Sequence, residues 1–285
     1  MATKRIPGWV IYSVIGLAVL ILAIAGLAVG GFYHFKGALQ EFEVADAALE
    51  EVEQLYGPIA EFRPDPTGAI PAERVEAFLA VRDGTAIVRE TTEHSLRILS
   101  EGEGEQRAGT VRKVGAGVWL LHRSADYLAE RSALLKEARM GLGEYYYLYT
   151  LTYFSWIGKS PADGPSFKLV GDRGYVLESI PEALDDAQVR EYRSELTRTS
   201  LNRLLLPVLR NQRSDLPVNP DTPELRQWSE ALSAEIAALE ADDHRLPWED
   251  GVPEVIASSL RPYRERLSST YSTMCNELEV GVARR

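Results

Sequence analysis

The sequence has few of the residues that build common catalytic and metal centres. Its one cysteine, Cys275, excludes an intrachain disulfide and zinc sites based on cysteine pairs. The four histidines are too far apart for two of them to bind one metal from adjacent turns of a helix. The sequence also lacks a glycine-rich phosphate loop and a nucleophile-elbow motif. We therefore expect no metal, no cofactor and no catalytic residue, and the balance of these observations favours a non-enzymatic protein.

Positive charge is also scarce. The 285 residues include 31 lysines and arginines against 42 aspartates and glutamates, which gives a net charge of −11. An acidic chain without a basic stripe repels phosphate backbones, so we expect no nucleic-acid partner. Arginine far outnumbers lysine among the basic residues, a bias typical of GC-rich bacterial genomes.

The N-terminal part contains the longest run without charge. Residues 9–33 carry no charged side chain. At about 1.5 Å per residue, a helix of this length crosses the roughly 30 Å of hydrocarbon in a bilayer. The sequence predicts a transmembrane helix over 9–33, with Trp9 and Tyr33 at the headgroup level. A cleaved signal peptide, cut near residues 23–25, is the alternative, although its apolar region is normally shorter.

Charges on either side of the predicted span indicate its orientation. Lys4 and Arg5 precede the span, whereas Glu41 and Glu43 follow it closely. Because positively charged flanks stay in the cytoplasm, we place residues 1–8 in the cytoplasm and the rest of the chain outside it. The predicted location is thus a cell membrane, the inner membrane in a bacterium, with an extracytoplasmic domain.

Two glycines in the predicted span have a spacing that favours helix packing. Gly26 and Gly30 lie one helical turn apart, which allows two helix backbones to approach closely in lipid. The pattern predicts a helix-packing site in the membrane, and a second copy of the chain is the simplest occupant. The same spacing is common in apolar segments without such a role.

The rest of the chain is dominated by helical spacing of apolar residues. An amphipathic, membrane-proximal helix is predicted over 34–57, followed by one helical extracytoplasmic domain over 58–285. The fold class is therefore all-α, a helical bundle. Within it, apolar residues at steps of three and four predict long helices over about 111–135, 189–208, 225–239 and 256–274. Pro207 is expected to kink or end the second of these helices.

Residues 167–178 differ from this pattern. Two short apolar runs flank Gly171 and Gly174, which is typical of a hairpin with a longer turn. We therefore predict one small β-hairpin over 167–178.

The segment EYYYLYTLTYFSWIG, residues 144–158, concentrates aromatic rings. A helix aligns Tyr145, Tyr149, Tyr153 and Trp156 on one face, whereas a strand aligns a different set. Its length exceeds the usual strand and is too short for a second span, so we predict a helix. We interpret most of the rings as core, with hydroxyls at the edges of the packing. The alternative is a surface that binds a partner or an apolar ligand.

The sequence ADDHRLPWEDG, residues 241–251, is the densest group of polar side chains and is named the acidic loop here. Its carboxylates and imidazole suit a divalent cation or proton transfer. Helix capping and solubility use the same residue types.

Three functions remain open from the sequence. The first is a single-pass, membrane-anchored interaction or scaffold protein, whose partners are the bilayer and another protein in or at the membrane. The second is a membrane-surface enzyme or metal binder that uses the acidic loop. The third is a lipid binder that uses the aromatic segment over 145–156.

Overall fold

The computed structural model describes residues 41, 43–101, 109–165, 168–170, 176–178 and 186–281. The predicted span over 9–33, with Gly26 and Gly30, lies outside these residues. Within the described ranges, no helix is long and apolar enough to cross a membrane.

Helices form most of the described chain, which agrees with the predicted all-α bundle. In chain order they are α1 (43–56), α2 (Ala72–Gly84), α3 (Ala86–Glu101), α4 (Gly109–Glu137), α5 (Leu142–Tyr149), α6 (Asp186–Ser214), α7 (Pro223–Ala241), α8 (Glu254–Leu260), α9 (Arg264–Ser269) and α10 (Asn276–Gly281). A π-helical segment, Thr150–Trp156, continues α5. Single 3₁₀ turns at Ile59–Glu61 and Arg261–Tyr263 complete the helical elements.

Two short strands are present, β1 (Lys168–Val170) and β2 (Val176–Glu178). They pair antiparallel, with Leu169 opposite Leu177. The predicted hairpin over 167–178 also requires a turn at 171–175, and that turn lies outside the described residues. No complete hairpin is therefore present in the part of the chain that the structure describes.

Proline affects two of the predicted helices differently from expectation. Helix α6 continues through Pro207 to Ser214, so of the two expected outcomes, a kink or an end at Pro207, the end is wrong. Buried Leu205, Val208 and Leu209 flank the proline and hold the helix in the core despite the missing backbone hydrogen bond.

The prediction of one continuous helix over 256–274 is also wrong. Pro262 lies in the 3₁₀ turn that separates α8 from α9. The chain then turns again after Ser269 and forms the short helix α10. The apolar spacing continued across both breaks, which is why the sequence pattern alone did not reveal them.

Helix α1 packs against the bundle rather than extending away from it. Ala45, Leu49 and Val52 are buried in the main core. The Glu51 carboxylate forms an ion pair of 2.7 Å with the Lys136 ammonium near the end of α4. The helix lies within the predicted membrane-proximal segment 34–57.

Two further polar contacts join this part of the chain to α4, one just before α1 and one at its end. Glu41 pairs with His122 of α4, and the Tyr56 hydroxyl donates to the Lys136 carbonyl at 3.2 Å. The two helices therefore run in the same direction. Helix α1 ends at Tyr56, and Gly57 follows with a φ of 83°, a left-handed conformation that favours glycine at a helix end.

Helix α5 and its π-helical continuation lie in the centre of the domain. They contact α2, α6 and α9 and the 3₁₀ turn Ile59–Glu61. Close approach to that turn depends on Gly143, where an added Cβ would lie 2.6 Å from the Ile59 carbonyl oxygen. The aromatic segment is thus enclosed by elements from both halves of the chain.

Candidate functional site

The aromatic segment is helical, as predicted, but its second half is a wider helix than expected. The backbone N–H of Ile157 donates to the carbonyl of Thr152 at 2.9 Å, five residues earlier. This π geometry is uncommon and often marks a helix whose side chains are constrained by packing or function. Apolar spacing does not distinguish it from an α-helix, so the sequence carried no signal for it.

Three of the four residues predicted as a partner or ligand surface lie in the core. Tyr145, Tyr149 and Tyr153 are fully buried, whereas Trp156 is partly exposed. The rings of Tyr149 and Tyr153 contact edge to face, with centroids 4.7 Å apart. The interpretation of these three rings as core is confirmed. Of the four residues, only Trp156 is accessible to a partner, and the Arg264 guanidinium lies 5.0 Å from its ring centroid.

We expected the hydroxyl groups of the buried rings to lie at the edges of the packing, but three of them lie inside the domain. The hydroxyls of Tyr145, Tyr146 and Tyr149 reach α10 instead. The Tyr145 hydroxyl donates to Glu279 Oε2 at 2.9 Å, and the Tyr146 hydroxyl donates to the Glu279 carbonyl at 3.1 Å. The Tyr149 hydroxyl donates to Asn276 Oδ1 at 3.0 Å. The rings therefore position a polar helix inside the domain.

Glu279 is the centre of a group that we name the buried ionic cluster: Arg82, Tyr127, Arg131, Tyr145 and Glu279. Arg82 and Tyr127 both contact Glu279 Oε1. Arg131 Nη1 lies 3.2 Å from Glu279 Oε2. All five side chains are at most 1% exposed. The cluster contains two cations and one anion, so it carries a net positive charge out of contact with water.

Aromatic faces surround the excess positive charge. The Arg131 guanidinium carbon lies 5.4 Å from the Tyr145 ring centroid and 5.8 Å from that of Tyr127. The Arg82 guanidinium carbon lies 5.4 Å from the Tyr149 centroid. Arg131 Nε and Nη2 have no hydrogen-bond acceptor among the described residues. The negative faces of the rings offset part of the desolvation of these cations.

Ionisation of Glu279 indicates what the cluster does. Burial by itself would raise the pKa of this carboxyl group, but Arg82 and Arg131 outweigh burial and lower it to about 2. A general acid or base needs a pKa near the working pH. Glu279 therefore remains an anion and holds α10 in the core, which is a structural role rather than a proton-transfer role.

The structure does not bring the carboxylates of the acidic loop together. Arg245 pairs with Glu235 at 3.1 Å and with Asp250 at 2.8 Å. Arg198 pairs with Glu249 at 2.5 Å. Each of these carboxylates is directed to an arginine, so the loop is fastened to α6 and α7.

The remaining polar residues of the acidic loop make local contacts. Asp242 accepts a hydrogen bond from the backbone N–H of His244 at 2.9 Å, and the His244 ring lies 3.0 Å from the Thr199 hydroxyl. Trp248 is buried and stacks on Trp228, with ring centroids 5.6 Å apart. In the described ranges, no three histidine, cysteine or acidic side chains are placed to hold a metal ion. These contacts agree with the alternative that the polar residues of this loop serve helix capping and solubility.

A groove between α6 and α7 is a surface that the sequence analysis missed. Its volume is about 630 Å³. The lining residues are Thr199, Asn202, Arg203, Leu206, Pro207, Arg210, Leu239, Glu240 and Asp243. The groove exists only because the two helices pack side by side, so apolar spacing within either helix does not predict it. The sequence feature that could have pointed to this groove is Pro207, a proline within an otherwise continuous apolar stripe.

Apolar and polar groups are both present in the groove. Leu206 and Pro207 supply apolar surface, and buried Leu239 lies beneath them. Because proline has no N–H, the Arg203 carbonyl does not receive the usual helical hydrogen bond from residue 207. Arg210 pairs with Glu240 at 2.6 Å beside this surface. The groove thus combines apolar area with charges of both signs.

Comparison with known proteins adds no function to this geometry. No protein-family model, curated protein or solved structure matches the chain. The functional conclusion therefore rests on the sequence, on the packing of α1 and on the surfaces described above.

Proposed function

We propose that this protein is a single-pass, membrane-anchored interaction protein with its helical domain outside the cytoplasm. Residues 9–33 form the anchor in this proposal, and residues 1–8 remain in the cytoplasm. The uncharged length of the run and the flanking charges support the anchor and its orientation. The domain that follows serves as a rigid body that presents a binding surface at the membrane.

The packing of α1 is the observation that carries this proposal. Ala45, Leu49 and Val52 are buried in the same core as the aromatic segment. A flexible linker would bury no such stripe and would leave the domain free to diffuse around its anchor. A packed helix instead holds the chain that enters from the anchor against a fixed face of the domain.

The interior of the domain supports a scaffold rather than a lipid site. Tyr145, Tyr149 and Tyr153 are closed in by neighbouring side chains, and their hydroxyls are hydrogen bonded within the chain. In the acidic loop, Glu249 and Asp250 likewise pair with arginines. Both regions serve the stability of the domain in this account.

The α6–α7 groove is the surface that we propose for the protein partner. Interfaces of this kind combine apolar area with a polar rim. Leu206 and Pro207 supply the apolar area, and Arg203 lies exposed beside them. A protein segment fits this chemistry better than a small apolar ligand, because the groove is open and carries charged side chains.

Site-specific photo-crosslinking in native membranes tests this function. A photoreactive residue replaces Arg203 in the groove, and a matched variant carries it at exposed Arg261, outside the groove. We expect a discrete protein adduct from position 203 and a much weaker one from position 261, because only the first position contacts a partner. Equal labelling from both positions, or none from position 203, would contradict the groove as the binding surface.

A further inference from the structure

Arg131 uses only one side of its guanidinium group for contacts with the described chain. Its Nη1 lies 3.2 Å from Glu279 Oε2 and 3.4 Å from the Glu279 carbonyl oxygen. Its Nε and Nη2 have no acceptor among the described residues, although the side chain is fully buried. Because buried donors are nearly always hydrogen bonded in folded proteins, we expect an acceptor at this second side.

The second side of Arg131 has the geometry that binds an anion. In a planar guanidinium group, the Nε–H bond and one N–H bond of Nη2 point in nearly the same direction and form a fork. Arg82 differs, because its Nη1 donates to the Tyr145 hydroxyl at 2.9 Å and its Nη2 donates to the Thr270 carbonyl at 2.6 Å. Only Nε of Arg82 is left without an acceptor in the described ranges. Of the two buried arginines, Arg131 is therefore the one that presents a complete fork.

The tyrosines next to Arg131 supply ring faces but no negative charge. The ring centroids of Tyr127, Tyr145 and Tyr146 lie 5.4–6.0 Å from its guanidinium carbon. All three hydroxyls already contact Glu279. Burial raises the pKa of each hydroxyl, so the tyrosines stay neutral at neutral pH. The acceptor of the fork therefore comes from outside the part of the chain that the structure describes.

Charge balance indicates which anion fits this position. Arg82 and Arg131 carry two positive charges, and Glu279 carries the only negative charge of the buried ionic cluster. An unbalanced charge is costly to bury, and one further negative charge makes the cluster neutral. Sulfate or hydrogen phosphate would add two negative charges and more volume. Chloride adds one charge, accepts hydrogen bonds from any direction and is less strongly hydrated than a carboxylate, so its transfer into the interior costs less.

We propose that Nε and Nη2 of Arg131 bind one chloride ion inside the domain, at the edge of the guanidinium group that does not contact Glu279. The ion satisfies both donors and balances the second positive charge of the cluster. Glu279 remains the only counter-charge that the described chain itself supplies to either arginine. Because only the folded domain brings these groups together, chloride stabilises it by mass action. The site is independent of the proposed anchor and of the α6–α7 groove, so its failure would leave both proposals intact.

Equilibrium urea unfolding of the full chain in a mild nonionic detergent tests the chloride site. Chloride replaces gluconate at constant ionic strength, so that general screening of charges does not change. We expect the ratio of folded to unfolded chain to rise by up to about tenfold for each tenfold increase in chloride, because only the folded state holds the ion. Bromide should act in the same way. A ratio that does not depend on chloride would overturn the proposal and assign the acceptor to water or to another part of the chain.

Two variants show whether a chloride effect arises at Arg131. Arg131→Met removes the fork, and Arg261→Met is the matched control, because Arg261 is an exposed arginine outside the cluster. The chloride dependence is expected to vanish in Arg131→Met and to persist in Arg261→Met. The same dependence in both variants would place the ion elsewhere and overturn the site.

A direct location of the ion does not require a variant that folds. Crystals of the unaltered chain grown in bromide are expected to show an anomalous scattering peak beside Nε and Nη2 of Arg131. Peaks at the protein surface alone would contradict the proposal.

Discussion

The substitution Glu279→Gln is expected to lower the free energy of unfolding by about 3–5 kcal/mol, the usual cost of removing one partner from a buried ion pair. Glu279 is the one anion of the buried ionic cluster and contacts both Arg82 and Arg131. Glutamine preserves the shape of the side chain but leaves two buried guanidinium groups without a counter-charge. The loss should be measurable by urea unfolding in a mild nonionic detergent.

Two comparison variants make this prediction specific. Arg131→Met should cost clearly less than Glu279→Gln, because the remaining Arg82–Glu279 pair is charge-balanced and methionine fills much of the space. Glu76→Gln removes an exposed partner of Arg266, 2.9 Å away, and should cost far less, because exposed ion pairs contribute little to stability. If Arg131→Met were as costly as Glu279→Gln, excess charge would not explain the energetics of the cluster.

The contribution of Glu279 to stability is also expected to disappear in acid. Its pKa is lowered from 4.5 to about 2 in the folded chain, so the folded state favours the ionised carboxylate. A lowered pKa gives stability that is fully present above the unfolded value and is lost as the pH falls towards the folded value. From pH 5 to pH 2, this linkage corresponds to about 3 kcal/mol at roughly 1.4 kcal/mol per pKa unit.

The difference between the unaltered chain and Glu279→Gln isolates that contribution from the other acidic residues. We expect the difference in unfolding free energy to be constant from pH 7 to pH 5 and to shrink steadily below pH 5. Parallel urea titrations at each pH provide the measurement. A difference that stays constant down to pH 2 would show that Glu279 is not held as an anion in the folded state.

Apolar periodicity predicted the helical framework well where a helix buries one face. The stripe over 111–135 corresponds to α4, and the aromatic segment was correctly expected to be helical and mostly buried. These predictions succeeded because burial of a stripe is a local property of the sequence. The same reasoning says nothing about which distant side chains meet.

The buried ionic cluster could not be predicted for that reason. Arg82 and Glu279 are 197 residues apart in sequence, and each resembles an ordinary surface residue in its local context. Charged side chains are rarely fully buried, so the default expectation places them in solvent. Only the tertiary structure shows that the aromatic segment supplies the hydroxyls and ring faces that make their burial tolerable.

The two prolines illustrate the same limit of local reasoning. Pro207 lies inside α6, where buried leucines and a valine on both sides keep the helix continuous. Pro262 lies between residues that are exposed or partly exposed, and the helix breaks there. Both prolines remove a backbone donor, but the helix continues only through Pro207, and the local sequence does not distinguish the two sites.

The central claim is that α1 is fixed to the domain on the outer side of a membrane that residues 9–33 cross. Modification by a membrane-impermeant maleimide tests it most directly, with single cysteines introduced as Ala45→Cys and Ala47→Cys. Ala45 is buried against the bundle, whereas Ala47 is exposed. The unaltered chain, with its buried Cys275, is the control.

We expect rapid modification at position 47 when the reagent is added to the outer face of intact membranes, and modification at position 45 only after the domain is unfolded. Equal rates at the two positions would show that α1 is not packed on the domain. Modification at position 47 only after the membrane is opened would place the domain in the cytoplasm and contradict the proposed orientation.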